Sequence, residues 1–232
     1  MSKKLQSLPI NTMIDGESHR VAAALRKINN VLVEKNIPLP QAKQYADQLE
    51  KIANEFSALA TEKRERAFGV VADRSESSVG SGYEYGAGNS LSYRPISGNC
   101  NAVSPQMQYF QAVGATGRSP LLLGKVTFAS AYEGPPGLVH GGYIAACMDE
   151  MFGIAVSHSD IKEPCMTGTM KVIYRAPVPL QQEITYTSWA EREEGRKVFA
   201  KCTVTDSNNN LCCEGEAIFL KIDPSVYAKM GG

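Results

Sequence analysis

The sequence predicts an α+β domain in which an antiparallel sheet wraps around one buried helix. The stretch Gly141–Ser157 is almost continuously apolar, which is typical of a helix that is buried on most sides. Two apolar runs precede this helix and four follow it, and each run ends at residues that favour turns. In Lys197–Thr205 apolar and polar residues alternate, the pattern of a half-buried antiparallel strand. One helix among six such strands defines the predicted fold class.

The six predicted strands are set by where the apolar runs begin and end. In chain order they cover residues 107–113, 122–132, 166–174, 183–190, 197–205 and 211–221. The first two enclose the turn-rich stretch 114–120 and therefore predict a hairpin. The later boundaries coincide with prolines, glycines and asparagines, as at the turn 207–210. No internal repeat is present in the sequence.

The first third of the chain is predicted to be helical. Residues 41–60 carry an apolar stripe with alternating steps of four and three, the spacing of an amphipathic helix. This stripe consists of Tyr45, Leu49, Ile52, Phe56 and Leu59. A second helix over residues 18–33 has Val21, Leu25, Ile28 and Leu32 on one side. We favour simple docking of both helices on the domain, and a role as an arm that packs in a dimer or covers a substrate remains open.

Composition divides the chain into four parts. Residues 1–72 form the N-terminal helical extension, residues 73–105 a Gly/Ser/Tyr-rich linker or cover loop, residues 106–224 the main domain and residues 225–232 a C-terminal tail. The stretch 73–105 has too few aliphatic side chains for a core element. A cover over an active site and a mobile linker agree equally well with this composition.

Charge and cysteine usage exclude several classes of protein. The 24 Lys and Arg residues balance 24 Asp and Glu residues, which argues against a chain that chiefly binds nucleic acid or an acidic membrane surface. No run approaches the roughly 18 apolar residues of a membrane span, and the N-terminus lacks the apolar stretch of a signal peptide. The six cysteines show no Cys-x-x-Cys spacing. We therefore expect reduced thiols in a cytoplasmic protein without a metal or other cofactor.

The predicted helix carries only two charged residues, Asp149 and Glu150. At about 100° per residue, Asp149 shares its face with Gly142 and Gly153, so a ligand or the backbone of a partner is expected to approach there. A carboxylate buried in such a narrow apolar groove is a candidate general base or nucleophile. A structural role, in which Asp149 binds neighbouring groups at a subunit contact, is about equally well supported.

The tripeptide His140-Gly141-Gly142 stands at the start of this helix. Glycines there leave amide hydrogens facing outward, and the helix dipole adds partial positive charge. This arrangement could stabilise an oxyanion that develops on a carbonyl group. His140 could donate to the same oxygen or hold the loop. A turn with a structural histidine is the commoner meaning of this tripeptide, and its occurrence together with Asp149 favours the catalytic interpretation.

These residues together resemble a known family. The sequence Gly-Pro-Pro-Gly at residues 134–137, followed by His140-Gly141-Gly142 and Asp149, is similar to hotdog-fold acyl-CoA thioesterases of the phenylacetate-pathway type, in the branch that includes mammalian thioesterase superfamily member four. The resemblance covers about half of the chain, residues 106–224. It continues through Thr167, residues 174–177, residues 194–197 and the closing strand. It implies the hotdog fold for the predicted sheet and helix.

The resemblance also implies an assembly and a set of catalytic roles. The enzymes of this type are homodimers, some of them paired into tetramers, with active sites at the subunit interface. The carboxylate matching Asp149 activates water or attacks the thioester carbon itself. The amide matching Gly141 polarises the thioester carbonyl with help from the residue matching His140, and the hydroxyl matching Thr167, from the facing subunit, orients the water.

Two details of this chain bear on those roles. Thr167 opens a predicted strand, and simple alternation places its hydroxyl on the face opposite Met170, Val172 and Tyr174. Some relatives carry an asparagine where this chain has Gly134. A second donor to the thioester carbonyl is therefore missing or is supplied differently, which leaves the role of His140 open.

Further residues are candidates for substrate binding. Coenzyme A carries phosphates, so cationic side chains are expected at the mouth of the groove. The candidates are Arg175, Arg196 and Lys197, each of which is more simply a solvated charge at a strand end. Gly142 belongs to the helix start that would face the substrate. Glu150 lies about 100° round the helix from Asp149 and either pairs with a cation or is a second acid at the site.

The leading functional hypothesis is the hydrolysis of an acyl-CoA, fatty or aryl, to the free acid and coenzyme A. A non-catalytic acyl-CoA-binding or regulatory protein on the same fold is the alternative from another class, because fold does not fix function. A dehydratase or hydratase would use His140 with Asp149 as a proton shuttle. The acid, the oxyanion site and the hydroxyl favour an enzyme, and the glycine pair suits polarisation of a thioester best.

Overall fold

The computed structural model describes residues 5–7, 16–59, 92–112, 121–223 and 225–226. Within these residues the chain forms a seven-stranded antiparallel sheet that packs on one long, largely buried helix. The α+β class predicted from the sequence is therefore confirmed. The predictions for residues 60–91 and 113–120, which include most of the predicted linker, lie outside the described residues.

The elements follow one another along the chain in a simple order. They are β1 (Leu5–Ser7), α1 (Gly16–Glu34), α2 (Leu39–Ser57), β2 (Gln108–Ala112), β3 (Leu122–Thr127), a 3₁₀ turn (Ser130–Tyr132), α3 (Gly141–Ser157), β4 (Cys165–Tyr174), β5 (Glu183–Glu194), β6 (Lys197–Thr205) and β7 (Leu211–Lys221). The strand order in the sheet is β1-β2-β3-β5-β6-β7-β4. The chain therefore crosses from α3 to the far edge of the sheet before β4 begins.

The predicted elements agree with the observed ones, with three differences. The helix α3 and the strands β6 and β7 begin and end where the sequence predicts them. The strand predicted over residues 122–132 ends at Thr127, and its last three residues form the 3₁₀ turn. The strand β5 continues past its predicted end to Glu194, because a bulge between Ala190 and Arg192 interrupts the alternation on which that prediction rests. The segment Leu5–Ser7 pairs with β2 as a seventh strand that the sequence does not predict, since three residues are too few to show an alternating pattern.

The core lies between α3 and the concave face of the sheet. Nine residues of α3 are buried, among them Met148, Met151 and Phe152. The helix approaches β7 so closely that a Cβ at Gly215 would collide with the sulfur of Met148. The close approach of sheet and helix fixes the orientation of α3 and leaves a different side of it, which includes Gly142 and Asp149, open to solvent.

The helix α1 docks on the domain mainly through polar contacts. The Arg26 guanidinium donates to the carbonyl oxygens of Asn99 at 3.3 Å and Asn101 at 2.7 Å. The hydroxyl of Ser130 donates to Glu34 at 2.6 Å. Ala22 is the one residue of α1 that is buried. The expectation that this helix docks on the domain is therefore met.

The helix α2 does not follow the same expectation. None of its residues is buried. The apolar stripe predicted from the sequence keeps between 36% and 60% of each side chain exposed, at Tyr45, Leu49, Ile52, Phe56 and Leu59. The prediction that α2 docks on its own domain is therefore wrong for the described residues.

A membrane-spanning helix is absent from the described part of the chain, because none of its helices combines the necessary length and hydrophobicity.

The described part of the predicted linker packs against the domain. Ile96 is 7% exposed and belongs to the core cluster. The hydroxyl of Ser104 donates to the Ile96 carbonyl at 2.8 Å and accepts from the Gln106 amide at 3.0 Å. Residues 92–105 are therefore a fixed covering of the sheet rather than a free connection.

Candidate active site

The edge strand β4 presents one of its faces to α3. Its pairing with β7 shifts between Thr167 and Thr169, which leaves Gly168 as an extra residue in a bulge. Because a bulge reverses the alternation of side chains, Thr167 lies on the same face as Met170 and Tyr174. The prediction that Thr167 faces the opposite side is wrong for this reason.

The carboxylate of Asp149 and the hydroxyl of Thr167 are in direct contact. Thr167 Oγ1 donates to Asp149 Oδ1 at 3.0 Å within the same chain. Both residues are exposed, so the prediction of a buried Asp149 is wrong for the single chain. The resemblance implies that the Thr167 hydroxyl orients water from the facing subunit; within one chain, this hydroxyl contacts Asp149 of its own chain. The arrangement is a solvent-accessible carboxylate steadied by one hydroxyl.

The residue His140 caps the start of α3. Its Nδ1 accepts a hydrogen bond from the Gly142 amide at 3.0 Å, and its own amide donates to the Tyr132 carbonyl at 2.9 Å. In a neutral ring whose Nδ1 accepts, the proton is on Nε2, which is then a hydrogen-bond donor. The ring therefore holds the loop and keeps one donor for a ligand. The amide of Gly142 donates to His140, so a contribution of Gly142 to substrate binding, which stays a prediction, would not come from this amide.

The amide of Gly141 points away from the helix. The His140 carbonyl in the same peptide unit accepts from the Tyr143 amide at 3.0 Å and so points into the first helical turn. The Gly141 N–H, on the opposite side, has no acceptor among the residues that the structure describes. It lies at the positive end of the helix dipole. This amide is the donor best placed to polarise a carbonyl group.

A residue that the sequence analysis left without a role, Tyr174, lies over this helix start. Its hydroxyl donates to the Gly141 carbonyl at 2.9 Å. A Cβ added at Gly141 would lie 3.3 Å from that hydroxyl oxygen, so the tyrosine fits closely against a glycine. Tyr174 belongs to the family-like segment 174–177, which was the available signal for a role at the site.

The second acid of α3 has different surroundings. Glu150 Oε1 accepts hydrogen bonds from Ser97 at 3.2 Å and from Arg94 and Tyr109 at 3.4 Å. Its side chain is 14% exposed. Of the two alternatives left open by the sequence, pairing with a cation is the one observed. Glu150 ties the covering segment to α3 and is not brought to the Asp149 side of the helix.

The three predicted cations lie at two ends of the sheet. Arg175 directly follows Tyr174, and its Nε donates to Glu214 at 2.7 Å. Arg196 and Lys197 lie at the turn between β5 and β6, where Lys197 pairs with Leu220 of β7. Since Leu220 pairs in turn with Met166 of β4, these two cations share the end of the sheet that carries Thr167. Within the described residues, none of the three forms a hydrogen bond or an ion pair with Asp149 or Gly141.

Metal and thiol chemistry are not prominent at the site. The described residues contain no group of His, Cys, Asp and Glu that could hold a metal ion. All six cysteines are free thiols. Burial raises the pKa of Cys213 to about 11 and that of Cys165 to about 11, so both stay protonated near neutral pH.

An antiparallel sheet wrapped around one helix defines the hotdog fold. The crystal structure of protein RHA08564, a thioesterase superfamily protein, matches this chain with a TM-score of 0.74. The match covers 95% of this chain and 97% of that chain at 23% sequence identity. Nearly the whole chain, and not only the domain around α3, therefore has a counterpart of the same fold.

The sequence comparisons concern the segment that carries the site. Residues 136–213 match the family model described as Thioesterase superfamily. The acyl-coenzyme A thioesterase THEM4 of Mus musculus is 34% identical over 93 residues, which are 40% of this chain and 39% of the relative. That of Xenopus laevis is 36% identical over 93 residues and is covered to 41%. This chain thus spans about two fifths of these curated relatives. It carries a thioesterase superfamily domain, as the motif resemblance predicted.

Proposed function

We propose that this chain hydrolyses an acyl-CoA thioester to the free acid and coenzyme A. The observation that carries the proposal is the pair of complementary groups on the open side of α3. One is the exposed Asp149 carboxylate with the Thr167 hydroxyl. The other is the outward amide of Gly141 beside the His140 ring. A base and an oxyanion donor are the two groups that thioester hydrolysis requires.

The two groups are too far apart to act on one carbonyl within a single chain. Gly141 and Asp149 are eight residues apart on one helix, which corresponds to about 12 Å along its axis. An attacking group and an oxyanion donor must each lie within about 3 Å of the reacting atoms. Each chain therefore holds two half-sites. A second α3 that runs antiparallel to the first, related by a two-fold axis, would bring Asp149 next to Gly141 of the partner subunit.

The edge of the sheet supports such a homodimer. Among the described residues, the strand β4 has a neighbour on one side only, and it is mostly exposed along its ten residues. Large apolar side chains lie open on it, with Met166 at 45%, Met170 at 38% and Tyr174 at 53% exposure. A long exposed edge strand with apolar side chains invites pairing with another strand. Pairing of two β4 strands would join the sheets and cover both copies of the open side of α3.

The proposed reaction uses each group in a defined way. The thioester oxygen accepts hydrogen bonds from the Gly141 amide and from Nε2–H of His140, which stabilise the negative charge that forms on it. In one route, Asp149 of the other subunit removes a proton from water as the water oxygen adds to the carbon; the carbon–sulfur bond then breaks, and the coenzyme A thiolate takes up the proton that Asp149 received. In the other route, Asp149 attacks the carbon directly and the carbon–sulfur bond breaks to give a mixed anhydride, which water hydrolyses to the free acid and the Asp149 carboxylate, while a proton from this water goes to the thiolate. Thr167 keeps the carboxylate in place.

The names of the sequence relatives point in the same direction. Those relatives are acyl-coenzyme A thioesterases, and the matched segment contains every residue of both half-sites. The phosphates of coenzyme A would meet Arg196 and Lys197, at the sheet end that carries Thr167, or Arg175 at the other end. Homodimers, or tetramers built from two dimers, are the expected assembly.

A panel of acyl-CoAs tests the proposal. Short-chain, long-chain and aryl substrates are incubated with the wild-type protein, and released thiol is measured. We expect turnover of at least one class, and a loss of about 100-fold or more for Asp149→Asn, because general-base catalysis contributes that much. Acyl-CoA binding should persist in the variant. A wild-type protein that binds acyl-CoA but hydrolyses none would instead be a binding or regulatory protein.

A further inference from the structure

The peptide unit that joins Gly141 to Gly142 is held at both ends. Its carbonyl oxygen accepts a hydrogen bond from the Tyr174 hydroxyl at 2.9 Å. Its N–H donates to Nδ1 of His140 at 3.0 Å. Rotation of this unit about its flanking bonds would break both hydrogen bonds at once. The two side chains come from different parts of the chain, so the helix start is fixed by tertiary contacts and not only by the helix itself.

The Gly141–Gly142 peptide unit needs these two hydrogen bonds to keep its orientation, because both of its residues are glycines. Glycine lacks the Cβ that restricts backbone dihedrals in other residues, so a Gly-Gly step is the least restrained start that a helix can have. The Gly141 amide belongs to the preceding peptide unit, and its direction relative to the held unit is set by the φ and ψ angles of Gly141. The orientation of the His140 ring depends on the held unit as well, because the ring accepts from Gly142. Small rotations here would move both proposed donors.

The ring of Tyr174 packs closely against Gly141. A Cβ at Gly141 would lie 3.3 Å from the Tyr174 oxygen and 3.4 Å from its Cζ, so the ring rests directly on the glycine. About half of Tyr174 is exposed, and the partial desolvation of its phenol raises the pKa above the usual value. Like an ordinary tyrosine, it keeps its proton near neutral pH, so its hydroxyl remains a donor. The same face of β4 also carries Thr167, so one strand steadies both half-sites.

We propose that Tyr174 is a positioning residue for this site. Its hydroxyl holds the Gly141–Gly142 peptide unit so that the Gly141 amide and the His140 ring point at the carbonyl of the substrate. Tyr174 acts through the backbone and donates no proton in the reaction. The assignment rests on the proposed thioesterase function for its effect on turnover, while the hold on the peptide unit is a property of the free protein.

The test replaces the hydroxyl alone. Tyr174→Phe keeps the ring on Gly141 and removes the donor. Tyr143→Phe is the matched control, because Tyr143 flanks the same helix start and its hydroxyl forms no hydrogen bond within the described residues. Amide hydrogen exchange at Gly142 is followed by NMR, and kcat and KM are measured for an acyl-CoA that the wild type hydrolyses.

For Tyr174→Phe we expect exchange at Gly142 to rise about tenfold and kcat to fall about tenfold, the size of one lost hydrogen bond. KM and the unfolding midpoint should stay close to those of Tyr143→Phe. Unchanged exchange at Gly142, or an unchanged kcat in a protein that Asp149→Asn inactivates, would overturn the assignment. A wild type without hydrolytic activity would contradict the proposed function, and exchange at Gly142 would still decide whether Tyr174 holds the peptide unit.

Discussion

Asp149 and Glu150 are adjacent residues on α3 with different surroundings. Asp149 is exposed and accepts one hydrogen bond, from Thr167. Glu150 is largely covered and accepts from donors on the segment 92–112, among them Arg94. The sequence placed both acids on the helix and singled out Asp149. It could not tell which of them is buried, because that depends on a segment whose composition suggested a linker.

This difference predicts that substitutions of the two acids affect the stability of the fold to different degrees. Glu150→Gln weakens the ion pair with Arg94, in which the two side chains are 18% and 14% exposed, so we expect a loss of about 1–3 kcal/mol in the free energy of unfolding. Asp149→Asn keeps an oxygen that can accept from Thr167 and removes a charge that is exposed in the single chain, so we expect a smaller loss than in Glu150→Gln. Urea denaturation of the two variants and the wild type measures both values. A larger loss in Asp149→Asn than in Glu150→Gln would contradict the different surroundings of the two acids.

The residue that follows α3, His158, predicts a dependence of stability on pH. Burial lowers the pKa of His158 below its usual 6.5, while a hydrogen bond to the Ile154 carbonyl opposes this in part. Below about pH 6.5, His158 therefore binds a proton more readily in the unfolded chain than in the folded chain. The free energy of unfolding should therefore fall as pH drops below about 6.5, until the folded histidine is also protonated. Denaturation of wild type and His158→Gln between pH 5 and 8 should show a smaller decline in the variant, and equal declines would exclude His158 as the cause.

At the scale of elements, the hydrophobic pattern predicts correctly the bounds of those helices and strands in which the pattern is regular. Gly141–Ser157, Lys197–Thr205 and Leu211–Lys221 have the predicted bounds because an apolar run or a regular alternation spans each of them. Thr167 was assigned to the wrong face because the bulge at Gly168 leaves no regular mark in the sequence. Most of the candidate site could thus be named from its residues. Its geometry depended on a bulge and on tertiary contacts that the residue pattern does not contain.

The docking of α1 is a further property of the elements that can be measured. Arg26 provides its main polar contacts, to the carbonyls of Asn99 and Asn101. Because hydrogen bonds from charged groups contribute about 1.5–3 kcal/mol each, Arg26→Met should detach α1 locally. We expect faster amide exchange throughout Gly16–Glu34 and unchanged exchange in β5, β6 and β7. Protection of α1 equal to that of the wild type would show that Arg26 does not hold this helix.

At the scale of the whole molecule, the proposed mechanism makes one chain an incomplete enzyme. In that proposal Asp149 is the base and Gly141 the oxyanion donor, and the length of α3 between them keeps the two apart. The exposed edge β4 lies beside both half-sites, since Thr167 and Tyr174 reach them from one strand. The central claim of this account is that two copies complete each other's sites.

Complementation between two inactive variants tests that claim most directly. Asp149→Asn removes the base. Gly141→Pro removes the amide donor at a helix position that suits proline, after a residue with the extended backbone that proline favours, His140 at ψ 131°. The two chains are co-expressed with different tags, and the mixed dimer is purified. If the halves act across the interface, one of its two sites is intact, and hydrolysis should return to about half the wild-type rate. A mixed dimer as inactive as either parent would contradict the account.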